Sequence, residues 1–394
     1  MKWLGGTMRI AINNVFAVLK DKIRKCNVII EDGIIKELSN SIVSADCVLD
    51  GEGKYLYPGV VDLHTHGSGG FDYMDGSTED IISAAKSALT HGTTTLLPTT
   101  LTSSDEDLFL FLDNFRKVSS SKEILPNMIG VHLEGPYFDP IQKGAQDERY
   151  IRTPNKKDYS RILEKGEGII KRWSIAPELD GAIELMDELN KQNILISAGH
   201  TAATYEDITK AFDHGLSLLT HFYSGMSSIT RKGGFRILGT IEAGYLIDDL
   251  NVEIIADGLH LPPSLLDFIF RFKDKSKIIT CSDSMRAAGC GDGESILGPK
   301  NSGTKVIIED NIAKMPDRSC FAGSIATGDT LVRTLINIVG LTPSEASCIT
   351  STQPASLIGI DNITGEIKEG KRADLILFNK DFNIDKVIAN GTVV

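Results

Sequence analysis

Residues 58–67 read Pro58-Gly-Val-Val-Asp-Leu-His-Thr-His-Gly67, a short apolar run ending in two histidines one residue apart, followed by the turn Gly67-Ser-Gly-Gly70. Side chains alternate along a strand, so His64 and His66 project to the same side. Two imidazoles leaving one strand end can share a metal ion, with nitrogens at about 2.0–2.1 Å if it is zinc. Other apolar runs end in similar groups: Glu134 in Val131-His-Leu-Glu-Gly-Pro136, His200 in Ser197-Ala-Gly-His-Thr201, His221 in Leu219-Thr-His221 and Asp283 in Thr280-Cys-Ser-Asp283. A single histidine at a strand end is more often a capping or core residue than a ligand. Four histidines and two carboxylates at successive strand ends are improbable as coincidence, and histidine with carboxylate is a donor set for a divalent metal.

Those positions converge only if the surrounding elements bring them together. From Pro58 onward the pattern is strand, loop, helix, repeated. Buried-type strands are predicted over 60–63, 93–97, 128–133, 172–176, 194–198, 216–219, 252–256 and 277–281. Helical patterns fall between most of them, at about 78–91, 104–118, 183–191, 205–212 and 264–272. Ser77 is a plausible N-cap with Asp80 three residues on, and His91-Gly92 a plausible stop. Alternating strands and helices imply a parallel sheet, and eight of them a closed (β/α)8, TIM-like barrel. In such a barrel the carboxyl ends of the strands form the active-site face, where all six candidate residues fall. Hairpin signals occupy the two ends: runs at 9–13, 27–31, 34–38 and 46–50 broken by Asp32-Gly33 and Gly51-Glu-Gly53, then 373–378, 386–389 and Asn390-Gly391. The two ends are therefore expected to pair into a small β-sandwich, residues 1–57 with 360–394, flanking a barrel over 58–359.

With 394 residues, 41% hydrophobic and 24% charged, the chain is an ordinary globular one, large enough for a barrel with an accessory layer. A net charge of −12 argues against general affinity for nucleic acid or anionic membranes, so an anionic substrate needs a local cluster of cations. The six cysteines form no C-x-x-C pair and read as reduced thiols of a cytoplasmic protein. Met1 to Thr7 is too short an apolar run for a signal peptide. No run approaches 18 apolar residues, so no membrane span is expected. Whether translation starts at Met1 or Met8 stays open.

The set His64-x-His66, His-Leu-Glu134-Gly-Pro, Gly-His200-Thr, Thr-His221, Ala256-Asp-Gly-Leu-His260, Ser-Asp283-Ser-Met and Phe321-Ala-Gly-Ser324 resembles the amidohydrolase superfamily. Within it, the Leu-Glu-Gly-Pro and Asp-Gly-Leu-His motifs are similar to those of the N-acetylglucosamine-6-phosphate deacetylases. Glu134, His200 and His221 suit one catalytic divalent metal, and His64 and His66 a second, with Glu134 or a hydroxide between the two. The cofactor would be one or two ions of zinc, iron, manganese or cobalt, zinc leading. The resemblance implies that Asp283 moves the proton between water and the departing amine, with a plain ligand or cap as its alternative. It implies that His260 polarises the acetamide carbonyl. His132 reads as orienting a ligand, Cys281 as packing beneath the site, and His91 and His214 as helix-terminal residues.

For the basic loop after His221, the resemblance implies an arginine reaching the sugar phosphate of a neighbouring subunit of a homodimer. Arg231 is the candidate, with Lys232 or Arg236 as alternatives. Ala145, Ala322 and Gly323 match segments whose backbone contacts substrate, and Ser224, Gly225 and Phe321 complete the expected substrate-binding set with His260. Ser224-Gly225-Met226 stands where the family pattern has Asn-Ala-Met, and Arg231-Lys-Gly-Gly234 where it has Arg-Glu-Pro-Gly. The implied substrate is N-acetylglucosamine 6-phosphate, with the galactosamine epimer or another N-acyl amino sugar phosphate as alternatives. A cyclic-amide hydrolase or dipeptidase would use a carboxylated lysine where Glu134 stands. A non-catalytic sugar-phosphate sensor would not need Asp283.

Overall fold

The apolar runs after Pro58 become eight parallel strands: β1 (Val60–Thr65), β2 (Thr93–Pro98), β3 (Val131–Glu134), β4 (Ile170–Ile175), β5 (Leu195–Ala198), β6 (Leu216–Leu219), β7 (Asn251–Ile255) and β8 (Ile278–Cys281). The structure, a computed structural model, describes residues 8–394. Met1 to Thr7, for which the sequence predicts no leader, lie outside the described residues. β1, β2 and β3 are buried at every position, as strands covered on both faces must be. A two-residue segment, Asn127–Met128, pairs with β2 just ahead of β3, the two being separated at Gly130.

Parallel pairing runs β1–β2, then β3–β4–β5–β6–β7–β8. The gaps are bridged by backbone bonds. Thr100 N donates to His132 O at 3.1 Å between β2 and β3, and Asp283 N donates to His64 O at 3.0 Å between β8 and β1. The sheet thus curls back on itself in the manner of a TIM-like barrel. Both bridges lie at the ends of strands that carry candidate site residues, so closing the sheet also assembles the site.

Helices alternate with the strands. Thr78–Thr90 begins where expected: Ser77 Oγ accepts from Asp80 N at 3.1 Å, and Gly92 beyond the helix has φ 87°. Asp105–Val118 is capped by Ser104, and Tyr205–Asp213 by a reciprocal Thr204/Asp207 box. His91 and His214 are the C-caps of Thr78–Thr90 and Tyr205–Asp213.

Strands from both chain ends form one eight-stranded sheet. Tyr55–Pro58 and Leu375–Phe378 pair antiparallel, with Leu375 opposite Pro58 and Phe378 opposite Tyr55. Ile10, Ile12, Val28, Leu56, Leu375 and Leu377 share one apolar cluster. The turns at Asp32-Gly33 and Asn390-Gly391 all have positive φ and abut; a Cβ on Gly33 would lie 2.8 Å from Asn390 O. Two additions were not legible as strands. An antiparallel sheet of Gly293–Leu297, Thr304–Glu309 and Ile312–Lys314 follows β8, and an exposed hairpin of Thr230–Lys232 with Phe235–Ile237 follows β6. Each is too short and too polar for its periodicity to stand out. No described helix is long and apolar enough to cross a membrane.

Candidate metal centre and active site

Six side chains from five strand ends meet over the barrel mouth. Glu134, the last residue of β3, is at the centre. Its Oε1 lies 3.3 Å from His200 Nε2, 3.1 Å from His221 Nε2 and 3.5 Å from His64 Nε2. Its Oε2 lies 3.4 Å from His66 Nε2. His64 Nε2 and His66 Nε2 are 3.1 Å apart, and Asp283 Oδ1 stands 3.3 and 3.2 Å from them. The donors form two triads that share one carboxylate, Glu134 with His200 and His221, and Glu134 with His64 and His66.

The chemistry of this set fits a divalent metal. Every histidine turns Nε2 inward, toward other ring nitrogens and carboxylate oxygens. Burial opposes protonation of His64, yet the charges of Glu134 and Asp283 push it up to about 10. Burial likewise opposes ionisation of Glu134, but the charge of His64 and hydrogen bonds from His200 and His221 hold its carboxyl well below the usual range. Asp283 is lowered against its own burial by His64 and His66. A buried cluster with this balance calls for positive charge among its carboxylates, which a divalent cation supplies.

The backbone pays for the convergence locally. His200, His221 and Asp283 have φ of 49°, 33° and 46°, in the left-handed region. Such conformations cost on the order of 1–3 kcal/mol each and persist only where surrounding contacts impose them. Around His200 those contacts are visible: its Nδ1 donates to Gln142 O at 2.9 Å, and Phe138 packs on the His200 ring with centroids 4.6 Å apart.

A cavity of about 210 Å³ opens above the cluster. Of the residues expected from sequence, His66, Glu134, Ala145, His200, His221, Ser224, Gly225, His260, Asp283, Phe321 and Gly323 line it. His64 and Ala322 are fully buried and lie outside the lining. Arg231 and Lys232 also lie outside it, exposed on the hairpin that also carries Arg236. Within one chain they do not reach the cavity. His260 faces it from beyond β7, held by Asp257, whose Oδ2 accepts from His260 Nδ1 at 2.7 Å and whose Oδ1 accepts from His260 N at 2.8 Å.

Other site residues went unassigned in the sequence. Gln146 Nε2 donates to Glu134 Oε2 at 2.6 Å, and Thr102 N in turn donates to Gln146 Oε1 at 2.8 Å. Leu101, Leu297 and Cys320 give the cavity an apolar wall. Leu297 comes from the unanticipated sheet after β8, so no local signal could have announced it. Asp257 lay inside a quoted motif without a role. His132 does not hydrogen-bond a candidate ligand; its ring nitrogens face Ser174 Oγ at 2.7 Å and Thr99 Oγ1 at 3.3 Å, and it touches His64 edge-on. Cys281 is buried beside His64 and Glu253.

Comparison with known proteins gives this arrangement a context. A model of the amidohydrolase family matches residues 55–394. The chain is 32% identical to the N-acetylglucosamine-6-phosphate deacetylase of Bacillus subtilis over 343 residues, covering 86% of this chain and 84% of the relative. It is 29% identical to the N-acetylgalactosamine-6-phosphate deacetylase of Escherichia coli O157:H7, covering 92% and 93%. A structure of the Mycobacterium smegmatis N-acetyl-D-glucosamine-6-phosphate deacetylase, a mutant in complex with N-acetyl-D-glucosamine-6-phosphate, superposes with TM-score 0.88 at 27% identity over 99% of both chains.

Proposed function

The chain belongs to the amidohydrolase family, and on that premise we propose that it hydrolyses the acetamide of N-acetylglucosamine 6-phosphate, giving glucosamine 6-phosphate and acetate. The observation that carries the reading is Glu134 Oε1 at 3.3 and 3.1 Å from two histidine Nε2 atoms, on the floor of a cavity that Asp283 and His260 also face. Glu134, His200 and His221 would hold one divalent ion, and His64 and His66 with Glu134 a second. Zinc suits this donor set, as do iron, manganese and cobalt. Such an ion, when bound, supplies Lewis acidity toward water and the amide carbonyl.

The chain's own residues do the rest. Asp283 Oδ1 accepts the proton of the attacking water, and Asp283 returns it to the nitrogen as the C–N bond breaks. His260, as an imidazolium with a proton on each ring nitrogen, keeps Nδ1 on Asp257 and donates from Nε2 to the acetamide oxygen as charge develops there. Ala145, Ser224, Gly225, Phe321, Ala322 and Gly323 shape the sugar subsite. No lysine or arginine is among the described residues that line the cavity, and we assign the phosphate grip to a neighbouring chain. Arg231, or Lys232 or Arg236, reaches it from the partner in a homodimer. Exposed Phe235 on the hairpin and Ile229 just before it support that interface. We read 1–57 with 360–394 as a small β-sandwich domain beside the barrel 58–359, its described strands packing on an apolar cluster of their own. Six free cysteines suit a cytoplasmic enzyme.

One observation favours a second substrate. Ser224 and Gly225 line the cavity without a side-chain amide, and the E. coli relative named for the galactosamine epimer covers more of this chain than the B. subtilis one. Acetate release from both N-acetylhexosamine 6-phosphates, on protein with its metal counted, tests the proposal. Turnover of one or both, lost by about 10²–10⁴-fold in Asp283→Asn, is the expected result. No turnover of either by metal-loaded protein would sink it.

A further inference from the structure

Beneath the candidate ligands lies a fully buried ion pair that the mechanism leaves unused. Arg172 on β4 and Glu253 on β7 have no exposed side-chain surface. Arg172 Nη1 donates to Glu253 Oε1 at 2.5 Å and Nη2 to Oε2 at 2.8 Å. The remaining guanidinium contacts go to Ser197 Oγ at 3.1 Å, Thr220 Oγ1 at 3.0 Å and Leu63 O at 3.2 Å. Leu63 and Thr220 directly precede His64 and His221. Glu253 reaches the same two ligands from its other side: its Oε2 is 3.5 Å from His64 Nδ1 and 3.4 Å from His221 N. The outer nitrogens of His64, His66 and His221 all lack a hydrogen bond within the protein, and Glu253 Oε2 is the carboxylate oxygen that faces that of His64, at 3.5 Å.

A buried pair of this kind is a poor stability device, because desolvation offsets its attraction and apolar replacement of both partners is commonly neutral or stabilising. It is a good positioning device. A carboxylate behind a ligating imidazole fixes the tautomer and turns the other nitrogen toward the metal. The guanidinium in turn leaves that carboxylate no freedom to rotate.

We propose that Arg172 and Glu253 are positioning residues that hold His64, and the backbone of His221, in metal-binding orientation, Glu253 accepting from His64 Nδ1 so that Nε2 is free to ligate. The inference rests on the metal-binding reading above. It is tested with the paired replacement Arg172→Met/Glu253→Leu, which removes both charges together, and with the isosteric Glu253→Gln. Zinc per chain is counted after dialysis against chelators of graded strength, and thermal melting is followed on metal-free protein.

The expected result is a paired variant that melts within a few degrees of the wild type yet binds zinc about tenfold to a hundredfold more weakly. The loss falls on the ion that His64 and His66 would share, and Glu253→Gln weakens it in the same direction. Wild-type zinc affinity in either folded variant would overturn the inference and leave the metal reading standing. A wild-type protein that takes up no zinc, iron, manganese or cobalt would overturn both.

Discussion

Glu134 accepts from Gln146 on the oxygen that also faces His66, at 2.6 Å against 3.4 Å. That bond points the carboxylate plane, so the shared oxygen Oε1 sits between His200 and His221. Gln146→Ala removes a charge-assisted bond without touching a ligand. It is expected to weaken metal binding by about tenfold to a hundredfold with little change in melting temperature, measured by chelator competition. Gly225 has a related role. Its φ is 56°, and a Cβ there would stand 3.0 Å from both Gln142 O and His200 Nδ1, the two atoms of the bond that orients His200. Gly225→Ala should therefore lower kcat/KM together with metal affinity, and an unchanged metal affinity would show that His200 is held by other contacts.

At the scale of elements, the helix Gly328–Asn337 is tied to the end of Thr78–Thr90 by one carboxylate. Asp329 accepts from Thr327 Oγ1 and Arg333 Nη1, its backbone N donates to His91 O, and His91 Nδ1 stands 3.7 Å from its side chain. Burial raises its pKa, but the nearby His91 and the bonds from Thr327 and Arg333 outweigh that and bring it down to about 2. A depressed carboxylate stabilises the fold above its unfolded value near 4, and the contribution is lost as the pH falls toward 2. Asp329→Asn is thus expected to cost about 2 kcal/mol at pH 7. The gap to the wild type should close between about pH 4 and pH 2 in denaturant titrations. A gap independent of pH would mean that the charge is not what matters there.

For the whole molecule, the question is whether one chain makes a complete site. A cavity with no lysine or arginine among the described residues that line it, in a protein of net charge −12, is ill-suited to hold a phosphate alone. Mixing an Arg231→Ala chain with an Asp283→Asn chain tests the shared site, since each supplies what the other lacks. Random pairing should restore about a quarter of wild-type activity. No recovery after subunit exchange would assign the phosphate grip to a single chain.

The candidate ligands were legible because each stands at the end of an apolar run, and alternation along a strand, with the strand–helix rhythm, decides which end and which face. His64, His66, Glu134, His200, His221 and Asp283 needed nothing more. The barrel strands were legible for the same reason, and the caps at Ser77 and Gly92 because they are local hydrogen-bond and φ requirements. Tertiary structure alone decided the remainder. Arg172 and Glu253 lie 81 residues apart on strands β4 and β7, which do not pair; their side chains meet only because the sheet curls back on itself. Leu297 reaches the cavity from a small antiparallel sheet beyond β8, and Gln146 meets Glu134 only after its loop folds back over the β3 end. Periodicity reports which face of an element is buried. It carries no information about which distant side chain will share that burial, and the groups that orient the ligands are of that second kind.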